Sequence, residues 1–133
     1  MFESSHAFSG ISVDNIPEAR RFYGDILGFP VKEQMGGLRV ALPGGSDLWI
    51  YPKPNHQPAT FTVLNFPVDD IDAAVQALHE KGVDTRIYDQ HLLHTDERGI
   101  SRGRAGGYGP DIAWFRDPAG NVLAVLDDGG AQS

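Results

Sequence analysis

The stretch that decides the fold is FTVLNFPVDDIDAAVQALHEKGV, residues 61–83, because it repeats the pattern of FSGISVDNIPEARRFYGDILGF, residues 8–29. The letters VDNI at residues 13–16 of the first copy correspond to VDDI at residues 68–71 of the second. Each copy begins with strand-forming residues and continues into a helix that ends at a glycine. The chain therefore contains two copies of one βα unit.

Both helices have recognisable ends in the sequence. Asn15 is suited to cap the first helix, with a glutamate three residues later as in a capping box, and this helix is predicted over residues 16–27. Asp70 is suited to cap the second helix, which is predicted over residues 71–81 and is stopped by Gly82 in a left-handed conformation. The apolar stripe predicted for the second helix is Ile71, Ala74, Ala77 and Leu78.

The remaining patterns predict a βαβββ order in each half. The strands predicted for module one are residues 7–13, 29–34, 38–42 and 47–51, with turns at 36–37 and 43–46. Those predicted for module two are residues 61–68, 85–88, 111–116 and 121–126, with a further short strand around 99–102 inside the long irregular stretch 89–110. We predict a single domain over residues 1–133, made of module one at 7–51, a proline-rich linker at 52–58, module two at 59–127 and a disordered tail at 128–133.

Composition excludes several classes of function. The chain has no cysteine, so disulfide frameworks and thiolate chemistry are ruled out. Its 11 basic and 18 acidic residues give a net charge of -7, which opposes binding to nucleic acids. No apolar run approaches the roughly 20 residues that cross a bilayer, and the first residues do not resemble a signal peptide. We expect a cytoplasmic protein with no membrane or nucleic-acid partner.

One hairpin links these patterns to a known family. Residues 114–121 read WFRDPAGN, in which Asp-Pro and Gly-Asn favour a reversal between two strands. Together with the two V-D-x-I helix starts, the Phe-Tyr pair at 22–23 and Leu-Gly-Phe at 27–29, this hairpin closely resembles the vicinal oxygen chelate superfamily of glyoxalases, extradiol dioxygenases and bleomycin-resistance proteins. The resemblance implies an α+β fold in which two βαβββ modules pair into a curled mixed sheet around a cavity, and it implies a homodimer.

The resemblance also implies four metal-ligand positions, one on the first and one on the last strand of each module. In this chain they correspond to Phe8, Val63 and Ala124, with Trp49 at the fourth position and Tyr51 on the same strand face. None of the side chains at the four positions is a ligand for the hard or borderline cations that such enzymes bind, and Tyr51 is a poor one. We therefore expect no metal and no other cofactor.

Side chains on the concave face are the candidate ligand-binding residues. Flat rings offer stacking surfaces, and polar neighbours on the same faces orient a ligand. The candidates are Phe8, Ser12, Trp49, Tyr51, Val63, Asn65, His94 and Trp114. For the aromatic residues the alternative is that they fill a core.

The histidines are weaker candidates. His91 and His94 form an HxxH pair in the long irregular stretch, where His94 could gate the pocket or act as a general base. We interpret His6, His56 and His79 as surface residues, although a shift of strand register would bring His6 to a ligand position.

The function expected from the sequence is a metal-free protein that holds an aromatic or apolar organic ligand, such as an antibiotic, in a hydrophobic cavity. One alternative is an enzyme, either a glyoxalase-like lyase or isomerase that uses His94 and Glu97, or a metal-dependent dioxygenase whose ligands lie elsewhere. Another is a regulatory or structural subunit whose pocket has lost its ligand.

Overall fold

A computed structural model describes residues 1–88 and 93–130 of the chain. The chain separates into two compact units, Met1–Pro58 and Ala59–Ser133. The division falls at the end of the proline-rich segment, and each unit is described by itself below.

The first unit is a four-stranded mixed sheet with one continuous helical region, which begins as an α-helix and continues as a π-helix. Its elements are β1 (Ser9–Val13), α1 (Ile16–Arg20), a π-helical segment (Arg21–Ile26), β2 (Val31–Gln34), β3 (Gly37–Ala41) and β4 (Asp47–Pro52). The strand order is β1-β4-β3-β2, with β1 parallel to β4 and the other neighbours antiparallel. This is the predicted βαβββ order.

The first helix begins where the sequence predicts, and its helical turns end at Ile26, one residue earlier than predicted. The side chain of Asn15 accepts a hydrogen bond of 2.9 Å from the amide of Glu18, which satisfies an otherwise unpaired donor of the first turn. After Arg20 the helix widens into the π-helical segment, and Gly28 follows it with φ 79°. The helix buries Phe22 and Tyr23, whose rings meet edge to face at 5.1 Å between centroids.

The second unit has the same plan with a longer connection. Its elements are β5 (Thr62–Pro67), α2 (Ile71–Glu80), β6 (Ile100–Arg102), α3 (Gly103–Gly106), β7 (Asp111–Arg116) and β8 (Val122–Asp127). The strand order is β5-β8-β7-β6, with β5 parallel to β8 and the other neighbours antiparallel. Asp70 accepts a hydrogen bond of 3.1 Å from the amide of Ala73, and Gly82 has φ 82°, as predicted for the two ends of α2.

The stripe predicted for α2 is partly wrong. The buried residues of α2 are Ile71, Val75 and Leu78, whereas Ala77 is exposed. Spacings of four and three residues place the three buried side chains in one row along the helix. A valine in this row removes more apolar surface from water than an alanine beside it.

The strand predicted at 85–88 is wrong, and β6 takes its place in the sheet. The hydroxyl of Thr85 donates a hydrogen bond of 2.6 Å to the carbonyl oxygen of Arg98, and the side chain of Asp84 accepts one of 2.8 Å from the amide of Arg86. A β-carbon built on Gly99 would lie 2.7 Å from the carbonyl carbon of Thr85. The backbone at Thr85 therefore packs against the start of β6 and does not form a ladder of its own.

The turn between β2 and β3 lies one residue earlier than predicted. Gln34 pairs with Gly37, so Met35 and Gly36 are the two central residues, and their φ angles are 51° and 79°. Two positive φ angles are typical of the type I′ turn, whose twist matches that of the flanking strands.

Three further predictions concern the long stretch, the tail and the membrane. Residues 89–92 of the long stretch, including His91, and residues 131–133 of the predicted tail lie outside the described residues. Just before residue 131, the amide of Gly129 donates a hydrogen bond of 3.0 Å to the side chain of Asp127. No helix within residues 1–88 and 93–130 is both long and apolar enough to cross a membrane.

Candidate functional site

The open face of the first sheet carries four of the predicted site residues. Gly10 pairs with Trp49 and Ser12 pairs with Tyr51 in the parallel ladder of β1 and β4. Side chains alternate along a strand, so the residues between them, such as Leu48 and Ile50, lie on the opposite face, where they are buried. Trp49, Tyr51 and Ser12 therefore share one face, and Phe8 lies just before β1.

A cavity of about 360 Å³ lies at one end of this face. Most of the lining surface is apolar. The lining consists of the apolar residues Phe8, Met35 and Trp49 and the polar residues Gln34, Arg39 and Asp47. Phe8 is 66% exposed and Met35 is 90% exposed, so both leave most of their apolar surface in contact with water. Of the predicted site residues, the structure brings Phe8 and Trp49 together in this cavity.

Trp49 is positioned by its strand neighbours. It lies opposite Arg39 on β3 and opposite Gly10 on β1. Its ring extends over Gly37, where a β-carbon would lie 2.7 Å from the indole Cη2 atom. A glycine at the start of β3 therefore gives the indole room to form the cavity wall.

A charged pair forms another part of the wall. Arg39 donates a hydrogen bond of 2.8 Å from Nε to Oδ2 of Asp47, and its terminal nitrogen reaches the same oxygen. Within the described residues, Oδ1 of Asp47 accepts no hydrogen bond. The cavity thus combines aromatic surface with a carboxylate oxygen that is available to a ligand.

A second polar pair lies further along the same face. The hydroxyl of Ser12 is 2.6 Å from Nδ1 of His56. The linker turns back to reach this position, because the amide of Lys53 donates to the carbonyl of Val13 and the amide of His56 donates to the carbonyl of Lys53. The interpretation of His56 as a plain surface residue is therefore wrong, since the side chain is half-buried and hydrogen-bonded to β1.

The other predicted site residues lie in the second unit. Asn65 and Trp114 are both paired with Ala124, on opposite sides of β8, and so share one sheet face. Val63 falls at an irregularity between Thr62 and Leu64, where it has no strand partner. The ring of Trp114 meets that of Tyr88 edge to face at 5.3 Å.

His94 is exposed in a turn and has φ 53°. Its predicted partner in the HxxH pair, at position 91, lies outside the described residues.

Sequence reasoning missed four of the six residues that line the cavity, namely Gln34, Met35, Arg39 and Asp47. The only local signal for them was the glycine-containing turn between β2 and β3, which places the ends of those two strands together.

The side chains at the four positions that the family resemblance assigns to metal ligands do not fit a metal ion. The side chains of Phe8, Val63 and Ala124 have no atom that ligates a metal ion. The side chain of Trp49, on β4, has none either. Within residues 1–88 and 93–130, no cluster of three or more His, Asp or Glu side chains is arranged to hold a metal ion.

Known proteins share this architecture. The family described as Glyoxalase/Bleomycin resistance protein/Dioxygenase superfamily matches residues 5–125. No curated protein sequence matches the chain.

Solved structures with the same fold include the antibiotic binding protein TnmS3 from a Streptomyces species, with a TM-score of 0.64, 24% identity and coverage of 94% of this chain and 97% of that one. They also include the fosfomycin resistance protein FosX from Listeria monocytogenes, with a TM-score of 0.67, 13% identity and coverage of 95% and 93%. A superfamily member from Sphaerobacter thermophilus has a TM-score of 0.66, 23% identity and coverage of 93% and 98%. The match of the family over nearly the whole chain, together with two four-stranded mixed sheets, shows that this protein belongs to the glyoxalase/bleomycin resistance protein/dioxygenase superfamily.

Proposed function

We propose that this protein binds an aromatic or apolar organic molecule on the open face of its first sheet, without a metal ion. One observation carries the proposal. Phe8 and Trp49, which the family resemblance assigns to two metal-ligand positions, line a cavity of about 360 Å³. In this proposal, an aromatic ligand that packs against these two rings binds where the enzymes of the family bind a metal and its chelated substrate.

The size and lining of the cavity suit a small planar ligand. Ligand pockets commonly measure about 300–1,000 Å³, so this cavity is at the lower end of the range. Aromatic rings prefer offset-stacked or edge-to-face contacts, and the indole of Trp49 offers a broad surface for either. Phe8 and Met35 add apolar surface that is otherwise exposed to water.

The polar groups favour a ligand that carries an N–H donor or a positive charge. Oδ1 of Asp47 is available to accept a hydrogen bond, and the chain has a net charge of -7, which attracts cations. Gln34 can orient a further polar group, and the Ser12–His56 pair lies on the same face for a longer ligand.

The similar structures support the choice of compounds to test. One is named as an antibiotic binding protein and another as a fosfomycin resistance protein. Both are less than 25% identical to this chain, so what they support is the fold. Cationic aromatic antibiotics form the first panel, because their rings and charge match the aromatic lining and the carboxylate of the cavity.

The test is a fluorescence titration of the full chain. A Trp114→Phe variant leaves Trp49 as the single tryptophan, because the chain has 2 tryptophans. We expect the panel, together with the cationic three-ring dye proflavine, to quench this emission in a saturable way. A Trp49→Phe variant, in which Trp114 is the reporter, should show a much smaller change. The absence of both quenching and a thermal shift for every compound would refute the proposal.

Metal analysis tests the second part of the proposal. We expect less than stoichiometric zinc, manganese or iron in the purified protein, and the same titration curve before and after treatment with EDTA. A stoichiometric ion, or binding that EDTA abolishes, would favour a metal-dependent enzyme with displaced ligands.

We also propose that the protein forms a homodimer. Support comes from the family resemblance, which implies a dimer, and from large apolar side chains outside the cavity that remain exposed, including Phe2, Phe61 and Tyr108. Light scattering coupled to gel filtration should give twice the chain mass of 14.5 kDa, and a monomeric mass at all concentrations would refute this proposal.

A further inference from the structure

We infer that Met35 is a ligand-contacting residue, held at the rim of the cavity by a strained turn in order to close over a flat aromatic ligand. This inference rests on the proposed function, which assigns a ligand to the cavity but no particular role to the turn.

The backbone at Met35 is unfavourable for methionine. Its φ is 51°, in the left-handed region, where the β-carbon of an L-residue is crowded by the backbone. The first central position of a type I′ turn is normally Asn, Asp or Gly. The following residue, Gly36, has φ 79° and obeys this preference, so the turn departs from it only at Met35.

The side chain of Met35 contributes little to the stability of the fold that could offset this strain. Met35 is 90% exposed, so its thioether buries almost no surface within the first unit. Strained backbone positions persist where some other requirement holds them, and they concentrate at ligand sites. The location of Met35 supplies such a requirement, since it lines the cavity together with Phe8 and Trp49.

The chemistry of methionine suits this location. The side chain is unbranched and polarizable, adapts to irregular shapes and makes favourable contacts with aromatic rings. A planar ligand that stacks on Trp49 would leave its outer edge open to water, and a flexible thioether at the rim can cover it. Methionine also tolerates rings of different outline, so the cavity should accept several related aromatic compounds.

The test compares stability with affinity in the full chain, with proflavine as the probe. Met35→Asn relieves the turn and removes the thioether. We expect its melting temperature to rise by about 2–5 °C, while its affinity for proflavine falls about fivefold. Met35→Leu keeps both an apolar side chain and the strain, so its affinity should stay within about twofold of the original protein. Phe2→Ala removes another exposed apolar side chain that does not line the cavity, and it should leave affinity unchanged.

The outcomes separate the inference from the proposed function. If Trp49→Ala abolishes proflavine binding while Met35→Asn binds as well as the original protein, the role of Met35 is refuted and the proposed function stands. If Met35→Asn loses stability as well as affinity, the side chain is structural and the inference also fails. A change in oligomeric mass without a change in affinity would assign Met35 to self-association and overturn the inference. If the original protein binds neither proflavine nor any compound of the antibiotic panel, the proposed function is refuted and the inference falls with it.

Discussion

The indole of Trp49 lies against Gly37 on the neighbouring strand, so closely that a β-carbon on Gly37 would stand 2.7 Å from Cη2 and 2.9 Å from Cζ2 of the ring. Even an alanine at this position would therefore push the ring aside. The same β-carbon would meet the carbonyl oxygen of Ile50, which belongs to the backbone and cannot swing away. The wall of the cavity therefore depends on the absence of a side chain at Gly37.

Replacing this glycine should damage both stability and binding. We expect Gly37→Ala to lower the free energy of unfolding by about 1–3 kcal/mol, the usual cost of overpacking, and to weaken proflavine binding. Urea denaturation and fluorescence titration measure the two effects. Gly10→Ala is the matched control for stability, because its β-carbon would meet nothing closer than 3.7 Å. Equal unfolding energies for the two variants would contradict the close approach.

The hairpin that carries the family resemblance depends on a buried carboxylate. Oδ1 of Asp117 accepts hydrogen bonds of 3.0 Å from the amide of Ala119 and 2.9 Å from the amide of Asn121, while Oδ2 accepts one of 3.0 Å from the side chain of Asn121. Asp117 is 4% exposed, so water cannot easily replace these bonds.

Asp117→Ala leaves three donors without this acceptor and should lower the free energy of unfolding by about 2–4 kcal/mol. Thermal denaturation measures the change. The neighbouring exposed residue provides the control, since Arg116→Ala should change stability by no more than about 0.5 kcal/mol. A small effect of Asp117→Ala would mean that the turn is held by its backbone alone.

Thr85, the first residue of the segment that was predicted as a strand at 85–88, is buried. The hydroxyl of Thr85 donates its only hydrogen to the carbonyl of Arg98, so in the 2.8 Å contact with Nε2 of His79 the imidazole nitrogen must be the donor. Thr85→Val keeps the volume but removes both bonds, and we expect a loss of about 1–3 kcal/mol in the free energy of unfolding.

Thr95→Val is the matched control for this prediction. The hydroxyl of Thr95 is also buried, but it makes no hydrogen bond within the described residues. Its replacement by a methyl group should therefore be neutral or stabilising. Chemical denaturation of both variants tests the contrast, and an equal loss in the two would show that the bonds of Thr85 contribute little.

An ion-pair cluster in the second unit should make stability depend on pH. Arg102 donates hydrogen bonds of 2.7 Å and 3.2 Å to the two oxygens of Asp72, and Arg98 donates one of 2.9 Å. The hydrogen bond from Arg102, supported by the positive charges of both arginines, lowers the pKa of Asp72 below its ordinary value. The reciprocal interaction raises the pKa of Arg102.

Because the folded-state pKa of Asp72 is below the unfolded one, its contribution is present above about pH 4 and is lost as the pH falls through the folded value. The side chain is half exposed, so solvent screening limits the contribution to about 1 kcal/mol or less. Asp72→Asn should therefore destabilise the protein at pH 7, and the difference should shrink as the pH falls below about 4. Asp25→Asn removes an exposed carboxylate with no ion pair in the described part of the chain, and it is the control at pH 7 for the loss of one negative charge. A pH-independent difference for Asp72→Asn would contradict the ion-pair explanation.

The agreement between sequence and structure follows the range of the interactions. The caps at Asn15 and Asp70 were predictable because a cap and the amide it binds are three residues apart. The strand predicted at 85–88 failed because Thr85 and Arg98 are distant in sequence, and their hydrogen bond outweighs the local strand preference. The contact of His56 with Ser12 also spans most of the first unit and had no local signal.

The amino-acid sequence by itself determined that two βα units are present and where their helices begin. These features follow from residue type, short-range hydrogen bonds and periodicity, which need no partner distant in the chain. Only the tertiary structure decided that Gln34, Met35, Arg39 and Asp47 join Phe8 and Trp49 around one cavity. Strand register decides this, because a shift of one residue moves every side chain to the opposite face of the sheet.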